Sequence, residues 1–314
     1  MTAASDKVYD VIIVGGGPAG LNAAVVLGRC RREVLLFDTA KQRNRRSHGM
    51  HNYLTRDDIL PMDFIQLAHK EIAKYGVTLI PAGVKHAEKN ADGIFVTRDE
   101  NEVIYYSKKI LLATGLSDTL PDIPGFEDFY GKSVFHCPYC DGWEVRDKKI
   151  GLYARDKNGF ELALSLLTWS KTVTYFSDGK NILTASQLKK LRQHGIEVIR
   201  TSVERLEGHG SQLKNVRLQN QGLVACDALF FVNGYTQQCD IVESLGCTLN
   251  NKRAVLVNRR QQSNMPGVYV AGDACKDMHF VVVAAGEGAK AGVNINKELQ
   301  SEELAAFIPR DHNF

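Results

Sequence analysis

Residues 11–20 read VIIVGGGPAG, and this stretch decides the fold of the front of the chain. Its first four residues are a continuous β-branched run, which predicts a strand buried on both faces of a parallel sheet. Three glycines follow at Gly15, Gly17 and Gly20, with Pro18 and Ala19 between them. Residues 22–28 are apolar and alanine-rich, which predicts a helix packed on that sheet.

The next apolar run, residues 34–37, predicts a second strand, and it ends at Asp38. This unit fits the dinucleotide fingerprint. Gly15 would allow the turn, Gly17 the close approach of a pyrophosphate, and Gly20 tight helix–strand packing. The Asp38 carboxylate is available for a ribose hydroxyl. The alternative is a structural strand–turn–helix without a ligand.

Composition bounds the class of protein. A chain of 314 residues is too long for one core, so we expect two domains. The net charge of +3 (39 basic minus 36 acidic residues) does not suggest nucleic-acid binding. No apolar run approaches the roughly 20 residues of a membrane helix, and no signal peptide is evident. We therefore expect a cytoplasmic protein without a membrane partner.

Basic residues outnumber acidic ones between residues 29 and 46. The cationic side chains are Arg29, Arg31, Arg32, Lys41, Arg43, Arg45 and Arg46. They form either a solvated surface or a basic rim around a bound pyrophosphate.

Cys137 and Cys140 form a Cys-Pro-Tyr-Cys motif, and this spacing allows an easily cycled disulfide. Zinc and an inert buried pair are the alternatives. Structural zinc needs four ligands, and the other cysteines are not spaced to supply them, so we predict no metal. Asp141 follows at once and is a candidate proton donor and acceptor for the outgoing thiolate, or else a turn residue that caps backbone amides.

The remaining cysteines do not resemble an extracellular disulfide framework. We interpret them as small apolar fillers. They are Cys30, Cys226, Cys239, Cys247 and Cys275.

Two later segments indicate which dinucleotide is bound. Residues 109–115 (KILLATG) predict a strand that ends in Ala113, Thr114 and Gly115, and residues 267–273 (GVYVAGD) predict another that closes on Gly272 and Asp273. The pattern resembles that of two-dinucleotide-domain flavoproteins. The resemblance implies FAD, with Asp273 near the ribityl chain. It also implies that the helix from residue 284, which includes Ala285, begins near the flavin, and that Asn52 contacts the flavin ring.

The expected NADPH unit is incomplete. Strands at 149–154 and 172–176 flank a helix at 161–167, yet the loop reads GLYARD from Gly151 to Asp156 instead of a glycine triplet. We expect the Tyr153 side chain and the Asp156 charge to oppose a pyrophosphate, and no arginine cluster follows the second strand. The domain is then either a scaffold or a site for another planar ring. Four aromatic residues supply that possible stacking surface, or else they belong to the core: Trp143, Tyr153, Tyr175 and Phe176.

Taken together, the chain resembles a low-molecular-weight thioredoxin reductase over almost its whole length. The motifs that carry the resemblance are the first glycine loop, Ala113-Thr114-Gly115, the Cys137–Gly142 stretch and Gly272-Asp273. An Arg-Gln pair usual in the family is replaced by residues 278–281 (MHFV). The chain resembles most the pyridine-nucleotide-independent, diflavin-linked disulfide oxidoreductases, which carry a second FAD in place of NADPH.

The resemblance implies two doubly wound Rossmann-like α/β domains, one inserted in the other. The FAD domain would comprise residues 1–117 and 246–314, and the inserted domain, residues 118–245, would carry the redox disulfide. By analogy Cys140 faces the flavin and Cys137 attacks the partner, although the sequence alone does not order them.

The predicted function is electron exchange between FAD and the Cys137/Cys140 disulfide, and then with a thioredoxin-like or other dithiol/disulfide partner, without NADPH. A homodimer is expected by analogy. The alternatives are a ferredoxin- or NADPH-dependent thioredoxin reductase and a non-enzymatic flavin-binding redox sensor. The C-terminal residues 307–314 either fold over a flavin or fray or pack at a subunit interface.

Overall fold

The structure is a computed structural model that describes residues 7–276 and 278–307. The chain divides into two compact units. The first unit contains the described residues of Met1–Arg43, Met62–Ser117 and Thr236–Phe314, and the second contains Asn44–Pro61 and Asp118–Tyr235. The C-terminal tail from residue 308 onward lies outside the described residues.

In chain order the elements are β1 (Val8–Val14), α1 (Pro18–Arg29), β2 (Val34–Phe37), α2 (Pro61–Ala73), β3 (Thr78–Ile80), β4 (Val84–Lys89), β5 (Phe95–Asp99), β6 (Ile104–Leu112), β7 (Leu116–Asp118), α3 (Phe126–Phe129), β8 (Val134–Phe135), α4 (Pro138–Asp141), β9 (Ile150–Ala154), α5 (Gly159–Leu166), β10 (Val173–Phe176), α6 (Ala185–Gln193), β11 (Glu197–Ile199), β12 (Val203–His209), β13 (Gln212–Leu218), β14 (Leu223–Ala225), β15 (Ala228–Val232), β16 (Tyr235–Gln237), α7 (Ile241–Ser244), β17 (Val268–Val270) and α8 (Val281–Phe307).

The first unit is built on a sheet whose described strands run in the order β3-β2-β1-β6-β5-β4, with β17 also paired to β6. Strands β1, β2, β3, β6 and β17 are parallel, and β4 and β5 add an antiparallel edge. In β1 the register places Ile12 opposite Leu35 on one side and Ile110 on the other. The β-branched run is buried on both faces, as the sequence predicts, because apolar clusters cover the sheet above and below.

The second unit contains an all-parallel sheet of order β11-β10-β9-β15-β8 and an antiparallel sheet of order β12-β13-β14. Strand β9 lies at the centre and is buried along its whole length. The predicted strand–helix–strand at residues 149–176 is present as β9, α5 and β10. Parallel strands that alternate with helices place both units in the predicted α/β class.

The division into units differs from the predicted domain bounds at two segments. Residues 44–61 group with the second unit, where Arg46 pairs with Glu127 at 2.8 Å. Residues 236–245 group with the first unit, because Ile241, Val242 and Leu245 pack into its core. Compactness does not test independent folding, so the two-domain division stays a prediction. In the described chain, no helix combines the length and the apolar character needed to cross a bilayer.

Candidate active site

The first glycine loop encloses an open space at the start of α1. A Cβ at Gly15, which has φ +112°, would overlap the Ala113 carbonyl, and a Cβ at Gly20 would overlap the Gly15 carbonyl. A Cβ at Gly17 would meet no atom within 4 Å. Gly15 and Gly20 therefore serve packing, whereas Gly17 leaves room for a bound group.

The N-terminus of α1 is prepared for an anion. Pro18 occupies the first turn, Gly17 provides no side-chain cap, and the first turn contains no acidic residue. Its free N–H groups and the helix dipole favour a negative group in the space beside Gly17. A pyrophosphate has the charge and the oxygen acceptors that this position requires.

Asp38 lies against the loop at the end of β2 and is 7% exposed. Its Oδ1 accepts from the Ala40 N–H at 2.8 Å and from Gln42 Nε2 at 3.1 Å. The Gln42 Oε1 atom is buried and has no hydrogen-bond partner among the residues that the structure describes. Because such an orphaned acceptor is costly, a ligand hydroxyl or amine beside Asp38 would satisfy it.

Helix α8 brings the late motif to the same loop. The Gly272 N–H, at φ +79°, donates to Glu287 Oε2 at 3.0 Å, and a Cβ at Gly272 would lie 3.0 Å from the Ala19 Cβ. Asn22 Nδ2 donates to the Ala285 carbonyl at 2.7 Å. The motifs from both ends of the first unit therefore meet around the start of α1.

Asp273 forms part of a charged cluster. Its Oδ2 lies 3.4 Å from Arg43 Nη1, and the same Nη1 lies 2.9 Å from His279 Nδ1. His279 belongs to the stretch that replaces the usual Arg-Gln pair. Burial raises the pKa of Glu287, whose carboxylate accepts a hydrogen bond from the Gly272 N–H. No sequence motif marks Glu287, Gln42 or His279. Glu287 and His279 contact separate segments of the chain, and Gln42 contacts Asp38 four residues away.

The structure thus brings together most of the predicted cofactor-binding residues. In the first unit these are Gly15, Gly17, Pro18, Ala19, Gly20, Asp38, Ala113, Thr114, Gly115, Gly272, Asp273 and Ala285. The open space at Gly17 and the orphaned Gln42 acceptor show that they fit a dinucleotide such as FAD. Asn52 is different: it lies in the second unit, and its Nδ2 donates to the Tyr139 carbonyl at 2.8 Å.

The redox pair is a closed disulfide between Cys137 and Cys140, with Cα atoms 5.3 Å apart. Pro138 begins the short helix α4, and the chain turns closely after it, because a Cβ at Gly142 would overlap the Pro138 carbonyl. Tyr139, between the cysteines, is 64% exposed. The motif is therefore presented on a short, fixed turn.

Asp141 follows the disulfide and is partly buried. Desolvation, with a smaller contribution from the negative charge of Glu144, raises the pKa of Asp141 to about 7. A carboxyl with this pKa is protonated in a large fraction of molecules at neutral pH. It can therefore donate a proton to a thiolate and accept that proton again, as a general acid and base.

A second acid–base group precedes the disulfide. The His136 Nδ1 atom lies 3.7 Å from Asp118 Oδ2, and the Tyr130 hydroxyl donates to the same oxygen. The Asp118 side chain is almost fully buried, so it orients the imidazole next to Cys137. No sequence motif marks His136 as a functional residue. Its pairing with Asp118 depends on tertiary structure.

The other cysteines differ in their surroundings. Cys226, Cys247 and Cys275 are buried, as expected for apolar fillers, whereas Cys30 is exposed. Burial raises the pKa of the Cys226 thiol to about 12. Within the described part of the chain, no three His, Cys, Asp or Glu side chains are grouped as potential metal ligands.

The chain matches a known protein family over most of its length. Residues 9–288 match the family described as pyridine nucleotide-disulphide oxidoreductase. The chain belongs to this family. A protein named "Probable thioredoxin reductase" from Arthroderma benhamiae is 30% identical over 98% of this chain and 84% of its own.

Two further relatives match at full length. Thioredoxin reductase sirT of Leptosphaeria maculans is 28% identical over 97% of this chain and 98% of its own. The crystal structure of HlmI superposes with a TM-score of 0.92 at 32% identity, covering 97% of this chain and 96% of that one. The predicted thioredoxin reductase-like Rossmann fold is confirmed, and so is the assignment as a flavin-dependent disulfide oxidoreductase.

The strand–turn–helix of the second unit differs from the glycine loop of the first unit. The turn between β9 and α5, residues 155–158, contains no glycine. Gly151 lies within β9 and Gly159 starts α5, and both serve packing, since a Cβ at either would collide with neighbouring side chains. In this turn Asp156 Oδ1 accepts from the Asn158 N–H at 2.8 Å. This turn therefore has no glycine beside which a pyrophosphate could approach the backbone.

The structure decides between the two interpretations of the aromatic residues, a stacking surface or part of the core. Tyr153, Tyr175 and Phe176 are at most 2% exposed, so they are core residues and offer no stacking surface. Tyr153 does not project toward a pyrophosphate either, because it packs edge-on against Phe126 inside the core. Trp143 is 66% exposed, with the Arg146 guanidinium 4.1 Å from its ring centroid.

Several cations of the 29–46 stretch have partners within the chain. Arg29 donates to the Tyr75 hydroxyl, Arg32 pairs with Glu303, and Arg43 and Arg46 pair as described above. Their charges are therefore partly offset within the chain.

Proposed function

We propose that this protein is a FAD-dependent disulfide oxidoreductase that exchanges electrons between flavin and the Cys137/Cys140 disulfide without NADPH. A dithiol/disulfide partner, thioredoxin-like as the relatives' names suggest, would complete the exchange. The observation that carries the proposal is the closed disulfide beside a carboxyl with a pKa near 7.

The cofactor-binding residues of the first unit would hold FAD. The N–H groups at the start of α1 would bind its pyrophosphate, and Asp38 would bind a ribose hydroxyl. Asp273, balanced by Arg43, would accept from a further hydroxyl of the cofactor. When bound, FAD supplies the ability to accept or donate two electrons.

The chain's own step is thiol–disulfide exchange. A partner thiolate attacks one sulfur of the Cys137–Cys140 bond and forms a mixed disulfide, and the second partner thiol then releases the partner as a disulfide. Two electrons and two protons thereby reduce the pair to two thiols. Asp141 would give a proton to the outgoing thiolate, and the partner's potential would set the direction.

Independence from NADPH is supported by the second unit. Asp178 follows β10, where a nucleotide ribose or 2′-phosphate would lie, and its carboxylate already accepts from the Tyr153 hydroxyl and the Val203 N–H. The turn after β9 lacks glycine and carries Asp156. Both features oppose a phosphate by charge and by space.

A second FAD in this place is the finer version of the proposal. Its main support is the absence of the NADPH motifs, since the aromatic residues of β9 and β10 are buried. A ferredoxin-dependent reductase, the alternative, would need a basic docking face. Residues 29–46 could supply one, but several of their cations pair within the chain.

The test measures flavin released from the denatured protein per chain, followed by anaerobic titration of intact protein with NADPH and, separately, with dithiothreitol. We expect dithiothreitol to bleach the flavin absorbance and NADPH to leave it unchanged. Two FAD per chain would support the second flavin. Rapid bleaching by NADPH would overturn the proposal, and bound FAD that no dithiol reduces would favour a redox sensor.

A further inference from the structure

Residues 51–57 contact the Cys137–Cys140 motif in the second unit. Asn52 Nδ2 donates to the carbonyl of Tyr139, which stands between the two cysteines. The Asn52 N–H in turn donates to Asp57 Oδ1 at 3.1 Å. These hydrogen bonds hold the segment against α4, and they position His51, which precedes Asn52.

That residue, His51, sits between two carboxylates. Its Nε2 lies 3.6 Å from Glu144 Oε1, and its Nδ1 lies 3.5 Å from Asp57 Oδ1. The His51 side chain is 16% exposed, whereas the Glu144 side chain is 41% and the Asp57 side chain 70% exposed. The imidazole thus joins a solvent-facing carboxylate to one that adjoins the redox motif.

Glu144 links His51 to Asp141, the proposed proton donor in disulfide exchange. It lies three residues after Asp141, and its negative charge is one of the two causes that raise the pKa of Asp141. Asp57 and Asp58 are the acidic side chains beside His51 on its own segment, and a Cβ at Gly49 would contact both Asp58 and His51. On the turn after α4, Arg146 is directed over the Trp143 ring.

We infer that His51 is a positioning residue for disulfide exchange, which acts through Glu144 to set how readily the Asp141 carboxyl releases its proton to the outgoing thiolate. This inference rests on the proposed function, because it assigns Asp141 the role of proton donor. It adds a control element contributed by a different segment of the chain.

The sign of the effect follows from charge. When His51 carries a proton, its positive charge beside Glu144 offsets the negative potential at Asp141, so its removal makes Asp141 hold its proton to a higher pH. Removal of the Glu144 charge has the opposite effect. When Glu144 is neutral, the imidazole loses the carboxylate that favours a positive charge on this side of its ring, so its replacement has a smaller further effect.

The experiment uses the FAD-loaded protein and four variants: His51→Gln, Glu144→Gln, the double variant, and His48→Gln as a nearby exposed control. Dithiothreitol reduces the Cys137–Cys140 disulfide at a series of pH values. Alkylation and mass spectrometry give the rate of thiol appearance without relying on the flavin signal. Rates are divided by wild-type rates at each pH, so the ionisation of dithiothreitol cancels.

We expect the acid-dependent limb to move to higher pH in His51→Gln, by on the order of half a pH unit. It should move to lower pH in Glu144→Gln, nearly as far to lower pH in the double variant, and stay in place in His48→Gln. His51→Asn repeats the test if the glutamine variant folds poorly. A merely structural histidine would change the rate without opposite shifts in pH.

Two results would overturn the inference. One is an unmoved limb in His51→Gln, and the other is a double variant that differs from Glu144→Gln by the full His51 effect. Failure of the proposed function is distinguishable, since then no variant, nor the wild type, would show dithiol reduction of the pair.

Discussion

The Tyr153 hydroxyl donates a 2.8 Å hydrogen bond to Asp178 Oδ2. This contact joins the end of β9 to the residues after β10 and engages the carboxylate where a nucleotide ribose would be bound. Arg155 lies 3.6 Å from the same oxygen, and the Val203 N–H donates to the other. Desolvation and Asp178 together raise the pKa of Tyr153, so its hydroxyl stays a donor.

Tyr153→Phe should destabilise the protein by about 1–2 kcal/mol, because a mostly buried carboxylate loses a donor. Tyr175→Phe is the matched control, since the Tyr175 hydroxyl makes only a long 3.4 Å contact with the Ala154 carbonyl. The urea dependence of unfolding gives both values. Neither variant should gain flavin bleaching by NADPH; equal losses of stability would contradict the assignment.

The two glycines of the first loop should respond differently to alanine. Gly17→Ala meets open space and should fold normally but lose FAD, since the new Cβ occupies the place of the pyrophosphate. Gly20→Ala would overlap the Gly15 carbonyl and should destabilise the fold itself. Flavin content and thermal unfolding separate the two effects. Normal FAD content in Gly17→Ala would show that the cofactor lies elsewhere.

Cys140→Ser should keep FAD bound and abolish disulfide exchange, because the pair cannot re-form its disulfide. Cys30→Ser is the control, an exposed thiol outside the pair. The readouts are flavin content and the rate at which dithiothreitol is oxidised with a dye as electron acceptor. Full activity in Cys140→Ser would refute redox use of the pair.

Asp141→Asn should slow exchange at pH 7 by about 10²-fold, because it removes the proton donor. It should also change stability with a defined sign. The pKa of Asp141 rises from 3.8 to about 7 on folding, so the native state binds the proton more tightly than the unfolded chain does. The wild type therefore loses stability as the pH rises from about 4 to about 7.

The Asp141→Asn variant should not lose stability in this pH range through residue 141, because it has no carboxyl there. Its unfolding free energy relative to wild type should increase between pH 4 and pH 8, as measured by urea unfolding at each pH. Asp147→Asn, at an exposed position, should run parallel to wild type. A parallel curve for Asp141→Asn would mean that its carboxyl ionises normally in the folded protein.

Most of the fold could be predicted because its signals are local. The VIIV run, the glycine spacing and the VLLF strand each specify backbone conformation within a few residues. The same holds for the Cys-x-x-Cys pair, whose ring closes over a short stretch of chain. The predicted cofactor-binding residues rest on these same local signals.

The sequence by itself determined the α/β class, the glycine cradle and the redox pair, because short-range stereochemistry and burial pattern dictate them. Only the tertiary structure decided where the side chain of Tyr153 points. Strand β9 is buried on both faces, so alternation along it cannot tell one face from the other. The pairing of His51 with Glu144 was likewise hidden, since sheet packing and loop placement, and no local pattern, bring residues so distant in sequence into contact.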